Sequence, residues 1–238
     1  MVNLIMRLVS NIKQSEKIPS NSPIDELLGG GIEKGSVTQF YGPPGVGKTN
    51  LVLNIAVSAA KKSKIVYIDT EGGLSIERIK QLSGDQFNEI AQNIIVFEPT
   101  NSQELHANLN TIRSWIINHE QEISLIILDS AVALYRITEG TSKQVNKEFG
   151  IQMALLADIA RKFNIAVAIT NQVYSVIDEE KTEAIAPVGG FILKYKSKYT
   201  IELEKDELTL ERIATLHRHK TKKEGQTVKF TITNKGLE

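Results

Sequence analysis

The stretch that most constrains this chain is Gly42-Pro43-Pro44-Gly45-Val46-Gly47-Lys48-Thr49. Two glycines separated by four residues, then a lysine and a hydroxyl residue, form a phosphate-cradling pattern, and the flanks decide whether the match has meaning. Both flanks agree. Ser36 to Tyr41 carries β-branched and aromatic residues as a short strand does, and Asn50 to Lys61 places Leu51, Leu53, Ile55, Ala56 and Ala59 as a helix entering a core does. A strand feeding a glycine-rich turn that opens a helix aims backbone N–H groups and the positive end of the helix dipole at one spot, where a triphosphate fits. Lys48 is placed to reach the outer phosphates and the Thr49 hydroxyl to ligate magnesium, while Asn50 completes the nucleotide-binding stretch.

At 238 residues the chain suits one α/β domain with a substantial core, preceded by a short segment of about twenty residues. In that segment Leu4, Ile5, Leu8, Val9 and Ile12 recur at helical spacing without a basic leader or cleavage site, so a short helix is expected and a signal peptide is not. Apolar content of 41% and charged content of 24% are those of a globular protein, and no apolar run approaches the ~20 residues that span a bilayer. The absence of cysteine excludes disulfides, thiolate-bound metals and thiol catalysis together. Net charge is zero, yet residues 194 to 238 hold 11 Lys/Arg against 7 Asp/Glu, a mildly basic tail that points to a polyanionic partner.

In chain order, Leu27-Leu28-Gly29-Gly30-Gly31 follows a short helical turn near Pro23 and marks a tight reversal. Lys64 to Asp69 reads as a second strand, with Thr70-Glu71-Gly72-Gly73 as the turn beyond it. Ser75 to Asn93 is helical with a break near Ser83-Gly84, and Asn93 to Glu98 is a third strand. Leu105, Leu109, Ile112 and Ile116 put one apolar stripe on a helix from about Ser102 to Glu120, where Trp115 and His119 are expected to pack. Ile123 to Asp129 is an almost continuous apolar run, as for a strand buried on both faces, and it ends in a carboxylate. Tyr135 to Lys147 reads as a loop, Phe149, Met153, Leu156, Ala160 and Phe163 as the stripe of a helix, and Ile165 to Thr170 as a fifth strand followed by Asn171-Gln172. Beyond Gly190, alternation around Tyr199 to Leu203, Leu208 to Leu216 and Val228 to Ile232 predicts an antiparallel extension. The fold class is therefore α/β, a mostly parallel sheet flanked by helices, whose ligands bind beyond the carboxyl ends of the strands.

Four residues there can serve the phosphate loop. Asp129 is placed as the second magnesium ligand, acting through water. Glu71, past the end of a neighbouring strand, can deprotonate an attacking water, and Asp69 supports that strand end. Gln172 offers an uncharged donor able to report whether a γ-phosphate is present.

Leu27-Leu28-Gly29-Gly30-Gly31-Ile32-Glu33-Lys34-Gly35-Ser36, Tyr67-Ile68-Asp69-Thr70-Glu71-Gly72, Leu128-Asp129-Ser130-Ala131-Val132-Ala133-Leu134-Tyr135-Arg136 and Ile169-Thr170-Asn171-Gln172-Val173 resemble, in order and spacing, the ATPase core of RecA-like recombinases of the archaeal and eukaryotic branch. Pro187-Val188-Gly189-Gly190 is similar to the segment that closes that family's second DNA-contacting loop. The resemblance implies a RecA-type ATPase core using ATP and Mg2+, with Glu71 activating water, Asp129 in the Walker B role and Gln172 linking the γ-phosphate to the second loop. It also implies that Tyr135 and Arg136 begin the first DNA-contacting loop.

Three departures narrow the resemblance. Only about twenty residues precede the core, in place of the family's amino-terminal helical DNA-binding domain and the Phe-x-x-Ala linker through which its filaments form. The Tyr174 to Ala186 loop is short, and Asp178, Glu179, Glu180 and Glu183 face only Lys181, which should repel phosphate backbones. The tail Leu216 to Gly225 carries His217, Arg218, Lys220, Lys222 and Lys223. Together these features look most like the short archaeal paralogues of the main recombinase RadA, whose basic motif at this tail position is thought to contact nucleotide or DNA. By that likeness the chain is expected to be an ATP-binding, weakly hydrolysing accessory protein of homologous recombination and DNA repair. It would be cytoplasmic, would bind single-stranded DNA through its tail and Arg136, and would assist RadA, with a homo-oligomer compatible and strand exchange by this chain alone not expected. Rival readings are a non-catalytic ATP-gated adaptor and a KaiC-like regulatory ATPase, both without DNA contact. A small-molecule kinase would need an arginine-rich lid that is absent.

Overall fold

The computed structural model describes residues 15–118, 122–135, 142–178, 181–187, 190–206, 209 and 211–238. The helix expected over Met1 to Ile12 and the position of His119 lie outside them. The chain enters through β1 (Lys17–Ile18), turns through α1 (Ile24–Leu28) and pairs back as β2 (Ile32–Glu33), antiparallel to β1. The reversal between α1 and β2 uses Gly29, Gly30 and Gly31, all at positive φ. At Gly31 the constraint is steric as well, because φ is +129° and an added Cβ would lie 2.1 Å from the Ile18 carbonyl oxygen.

The central layer is a nine-stranded sheet among the described residues. It is built from β3 (Val37–Gly42), β4 (Lys64–Asp69), β5 (Ile94–Phe97), β6 (Ile123–Asp129), β7 (Ala166–Asp178), β8 (Lys181–Pro187), β9 (Tyr199–Lys205), β10 (Arg212–Arg218) and β11 (Thr227–Phe230). Its order is β11-β10-β9-β3-β7-β6-β4-β5, with β8 paired to β7. Pairings from β5 through β9 are parallel, and those of β10 with β9 and β11, and of β7 with β8, are antiparallel. Helices cover both faces. On one side α2 (Lys48–Ala60), α3 (Ile76–Ser83) and α4 (Phe87–Ala91) close a core that holds Phe40, Tyr67, Leu125 and Ile127. On the other, α5 (Ser102–Asn118), α6 (Ser142–Phe163) and α7 (Gly190–Lys196) cover Val66, Ile126, Leu128 and Ile169. The almost continuous apolar run of β6 is thus explained: alternate residues feed two cores.

The sequence expectations are corrected at five places. The segment expected as a loop to Lys147 is already helical from Ser142, because the exposed Lys143, Gln144, Asn146 and Lys147 give a polar first stretch that apolar periodicity cannot register. The acidic loop expected from Tyr174 to Ala186 is an antiparallel ribbon, β7 running on to Asp178 and returning as β8. Its Val, Tyr and Ile content favours strand over loop. Helix α7 spans seven residues, too few to establish a period, and was read as the start of the extension. The strand expected over Leu208 to Leu216 is β10, Arg212–Arg218. Ile232 leaves the strand of Val228 and Phe230 and forms a separate ribbon, β12 (Ile232–Thr233) with β13 (Gly236–Leu237).

Gly31→Ala is expected to cost about 2 kcal/mol or more, lowering the thermal midpoint by roughly 4–8 °C. Gly30→Ala, with φ of +112° but nothing within 4 Å of the added Cβ, should cost less, and thermal unfolding of both variants checks the order.

Candidate functional site

The carboxyl ends of β3, β4, β6 and β7 meet at a cavity of about 410 Å³, lined by Lys48, Thr49, Glu71, Asp129, Gln172 and Arg212 among others. Its floor is the phosphate loop. Gly47 precedes α2 at φ +107°, and no side chain caps the helix, which leaves the first-turn N–H groups unclaimed by any capping side chain. Gly47 is held to glycine by that positive φ, and an added Cβ would also have to displace Ile232 Cδ1, 2.5 Å away. Arg212 Nε donates to the Val46 carbonyl at 3.2 Å, and the Lys48 ammonium donates to the carbonyls of Gly42 and Pro43, each at 2.8 Å. Burial holds Lys48 below its ordinary pKa, opposed by the charges of Asp129 and Glu71.

Register supplies the partners. In the parallel pairing of β3 with β7, Gly42 lies opposite Gln172, and in that of β4 with β6, Asp69 lies opposite Asp129. Asp129 is buried, its Oδ2 accepting from the Tyr67 hydroxyl at 2.7 Å and its Oδ1 from Thr170 Oγ1. Thr49 also hydrogen-bonds this carboxylate. Burial raises the Asp129 pKa, the three hydroxyl donors lower it, and the nearby Asp69 charge adds to the rise. Asp69 shapes the turn that follows β4: it accepts the N–H groups of Glu71, Gly72, Gly73 and Leu74 at 2.8–3.2 Å. That turn carries Glu71 outward, although β4 is separated from β3 by β7 and β6 and is not its neighbour. Glu71 Oε1 then accepts from Ser130 Oγ at 2.5 Å and from Gln172 Nε2 at 3.0 Å. Ser130 is itself fixed, its N–H and carbonyl both bonded to Thr70 Oγ1 at 2.8 Å.

The structure therefore brings together the loop from Pro44 to Asn50 with Glu71, Asp129 and Gln172. Gly42, Pro43 and Val46 join them through their carbonyls, which hold Lys48 and Arg212. Tyr67, Ser130, Thr170, Arg212 and Ile232 complete the site and were not foreseen. Tyr67 was within reach of sequence reasoning, since residues two apart on a strand share a face and Tyr67 therefore lies with Asp69. Arg212 had no such signal, because only sheet order brings β10 to the phosphate loop.

The basic tail lies elsewhere. Its strand runs antiparallel to β9, so Arg212 sits beside the loop while Arg218 sits at the other end of the sheet. There Arg218 donates to the carbonyls of Lys194 and Ser197, Lys220 pairs with Glu33 and reaches Ser36 Oγ at 3.2 Å, and Lys222 donates to the Glu26 carbonyl. His217 Nε2 and Glu202 Oε2 are 2.6 Å apart, and Lys223 is exposed. Arg136 lies outside the described residues. Among the described residues no group of three His, Cys, Asp or Glu is placed to hold a metal, and no helix is long and apolar enough to cross a membrane.

The Rad51 family profile matches residues 17–238. Over 98% of its length the chain is 50% identical to the whole of a protein of Methanobrevibacter smithii named DNA repair and recombination protein RadB. Proteins of the same name from Methanosphaera stadtmanae and Methanothermobacter thermautotrophicus are 48% and 46% identical, again over 98% of this chain and all of theirs. The chain belongs to the Rad51 family, with its RecA-like core of a mostly parallel sheet between helices and an antiparallel carboxyl-terminal extension.

Because burial raises the Asp129 pKa, the stabilising neutral form is present below the ordinary carboxylate range and is lost as pH rises through the raised value. Ionising this buried carboxylate therefore costs stability in the fold. Asp129→Asn should keep or raise the metal-free thermal midpoint by a few °C while reducing magnesium-dependent nucleotide affinity at least tenfold, checked by calorimetry and nucleotide titration with and without magnesium.

Proposed function

We propose that this Rad51-family protein binds ATP with magnesium at the phosphate loop, hydrolyses it slowly, and serves homologous recombination and DNA repair beside the main recombinase RadA. Residues 21–238 would act as one ATPase domain in the cytoplasm, preceded by the short segment 1–20. The observation that carries the reading is the hydrogen-bonded convergence of Gln172, Glu71 and Ser130 next to Lys48 and the Thr49–Asp129 pair.

The donor set fits the ligand. Open first-turn N–H groups, the Lys48 ammonium and a cavity of about 410 Å³ suit a triphosphate, while a threonine hydroxyl beside a carboxylate offers the hard oxygen ligands magnesium prefers. Bound there, magnesium would neutralise charge developing on the phosphate oxygens. Glu71, oriented by Ser130 and Gln172, is the base that takes the proton of the attacking water. Its bond to Gln172 places the base and the start of the β7–β8 ribbon in one network, so ribbon position and nucleotide state would be read together. DNA contact by the tail and by Arg136 is the part supported by family likeness and by the printed names of the relatives. One observation favours a second reading, an ATP-gated adaptor without DNA contact: Arg218, Lys220 and Lys222 are engaged by groups of this chain.

ATP turnover measured at fixed salt with and without single-stranded DNA separates the readings. The recombination reading predicts slow turnover that DNA stimulates, reduced about 100-fold or more in Lys48→Ala. Turnover indifferent to DNA would support the adaptor, and full turnover by Lys48→Ala would remove the site assignment.

A further inference from the structure

A second cavity exceeds in volume the one at the phosphate loop. At the other end of the sheet, between α6, α7 and the start of β3, a cleft of about 490 Å³ is lined by Ser36, Asp158, Arg161, Tyr195, Lys196 and Lys198 among others. Three cations and one carboxylate line it, and Asp158 is already shared, lying 3.7 Å from Arg161 and 3.0 Å from Lys162. Tyr195 is 62% exposed, the one aromatic ring among the exposed large hydrophobic side chains of the described residues. Beside the cations of the groove this ring offers an aromatic face, and the groove's charge favours an anionic partner and repels a positively charged one.

The tail charges act on this cleft from behind. Arg218 bonds to the carbonyls of Lys194 and Ser197 and so fixes the end of α7 that presents Tyr195 and Lys196. Lys220 bonds to the hydroxyl of Ser36, which lines the cleft. Arg218 and Lys220 therefore shape the wall, whereas Lys196, Lys198 and Arg161 present charge to its interior.

We infer that this cleft is a binding site for single-stranded nucleic acid, with a base against Tyr195 and backbone phosphates at Lys196, Lys198 and Arg161. The inference rests on the recombination reading above and moves its nucleic-acid contact from the tail residues to the cleft that they support. A ring beside cations fits an unpaired strand, whose bases offer open faces for stacking, and it does not fit a duplex, whose base faces are covered.

The test is fluorescence anisotropy with a labelled oligothymidylate of twenty nucleotides on the full chain, at several salt concentrations. Lys196→Gln with Lys198→Gln should weaken binding about tenfold and reduce the salt slope by roughly 1.4, the share of two phosphates on a single strand. Tyr195→Ala should weaken it about fivefold or more, and Tyr195→Phe should restore it, because stacking needs the ring and not the hydroxyl. Nucleotide affinity and thermal midpoint serve as folding controls and should stay at wild-type values. Wild-type affinity in both the lysine pair and Tyr195→Ala would overturn the cleft while leaving the recombination reading intact. Variants that lose self-association in sedimentation but keep oligothymidylate binding would overturn it in favour of a contact between copies. Absence of oligothymidylate binding by the wild type would sink the cleft and the DNA part of the proposed function together. Competition of the bound oligonucleotide by millimolar inorganic phosphate, at constant ionic strength and lost in the Lys196→Gln, Lys198→Gln variant, would assign the cleft to a free phosphate ligand and also overturn it.

Discussion

The buried carboxylate of Asp129 is the constraint on which the carboxyl edge of the sheet depends. A charge taken out of water is tolerated only with donors around it. Those donors come from three different elements: Tyr67 of β4, Thr170 of β7 and Thr49 of α2. To satisfy one carboxylate, two strands and the helix of the phosphate loop must end at one level. The register of β4 with β6 sets Asp69 beside Asp129, and Asp69 in turn folds the Glu71 turn through four backbone N–H groups. Site geometry and burial cost are thus one problem with one solution.

The carboxyl-terminal extension has a comparable double duty. At one end of β10, Arg212 holds the Val46 carbonyl, and the following ribbon sets Ile232 against Gly47. At the other end, Arg218 and Lys220 brace α7 and Ser36. Strands added beyond β9 therefore steady both the phosphate loop and the cleft at the opposite pole. Part of the tail's charge, conspicuous in the sequence, serves to fasten the chain to itself through Arg218, Lys220 and Lys222.

How much of this was legible beforehand follows from which interactions are local. The phosphate loop, β4, β6 and the roles expected for Glu71, Asp69 and Asp129 rest on strand ends and turn residues, which a linear pattern records. Sheet order is not local. Nothing near Arg212 in the sequence says that β9 and β10 stack beside β3, and nothing near Glu71 says that two strands separate β4 from it. The β7–β8 ribbon was misread because its acidic residues outweighed the strand-favouring Val173, Tyr174, Val176, Ile177 and Ile185 in the reading. The start of α6 was missed because a helix that turns polar residues to solvent on its first turns carries no apolar period. The cleft near Tyr195 could not be seen at all, since it joins residues from Ser36 to Lys198 across three elements.

The central claim is that Glu71, held by Ser130 and Gln172, is the base of an ATP site and not merely a polar residue at a strand end. Glu71→Gln keeps both hydrogen-bond partners in reach while removing the charge that accepts a proton. Single-turnover hydrolysis measured together with nucleotide affinity gives the direct answer. The account predicts affinity within about threefold of wild type and hydrolysis slower by roughly 100-fold or more. Hydrolysis at the wild-type rate, with affinity unchanged, would contradict it.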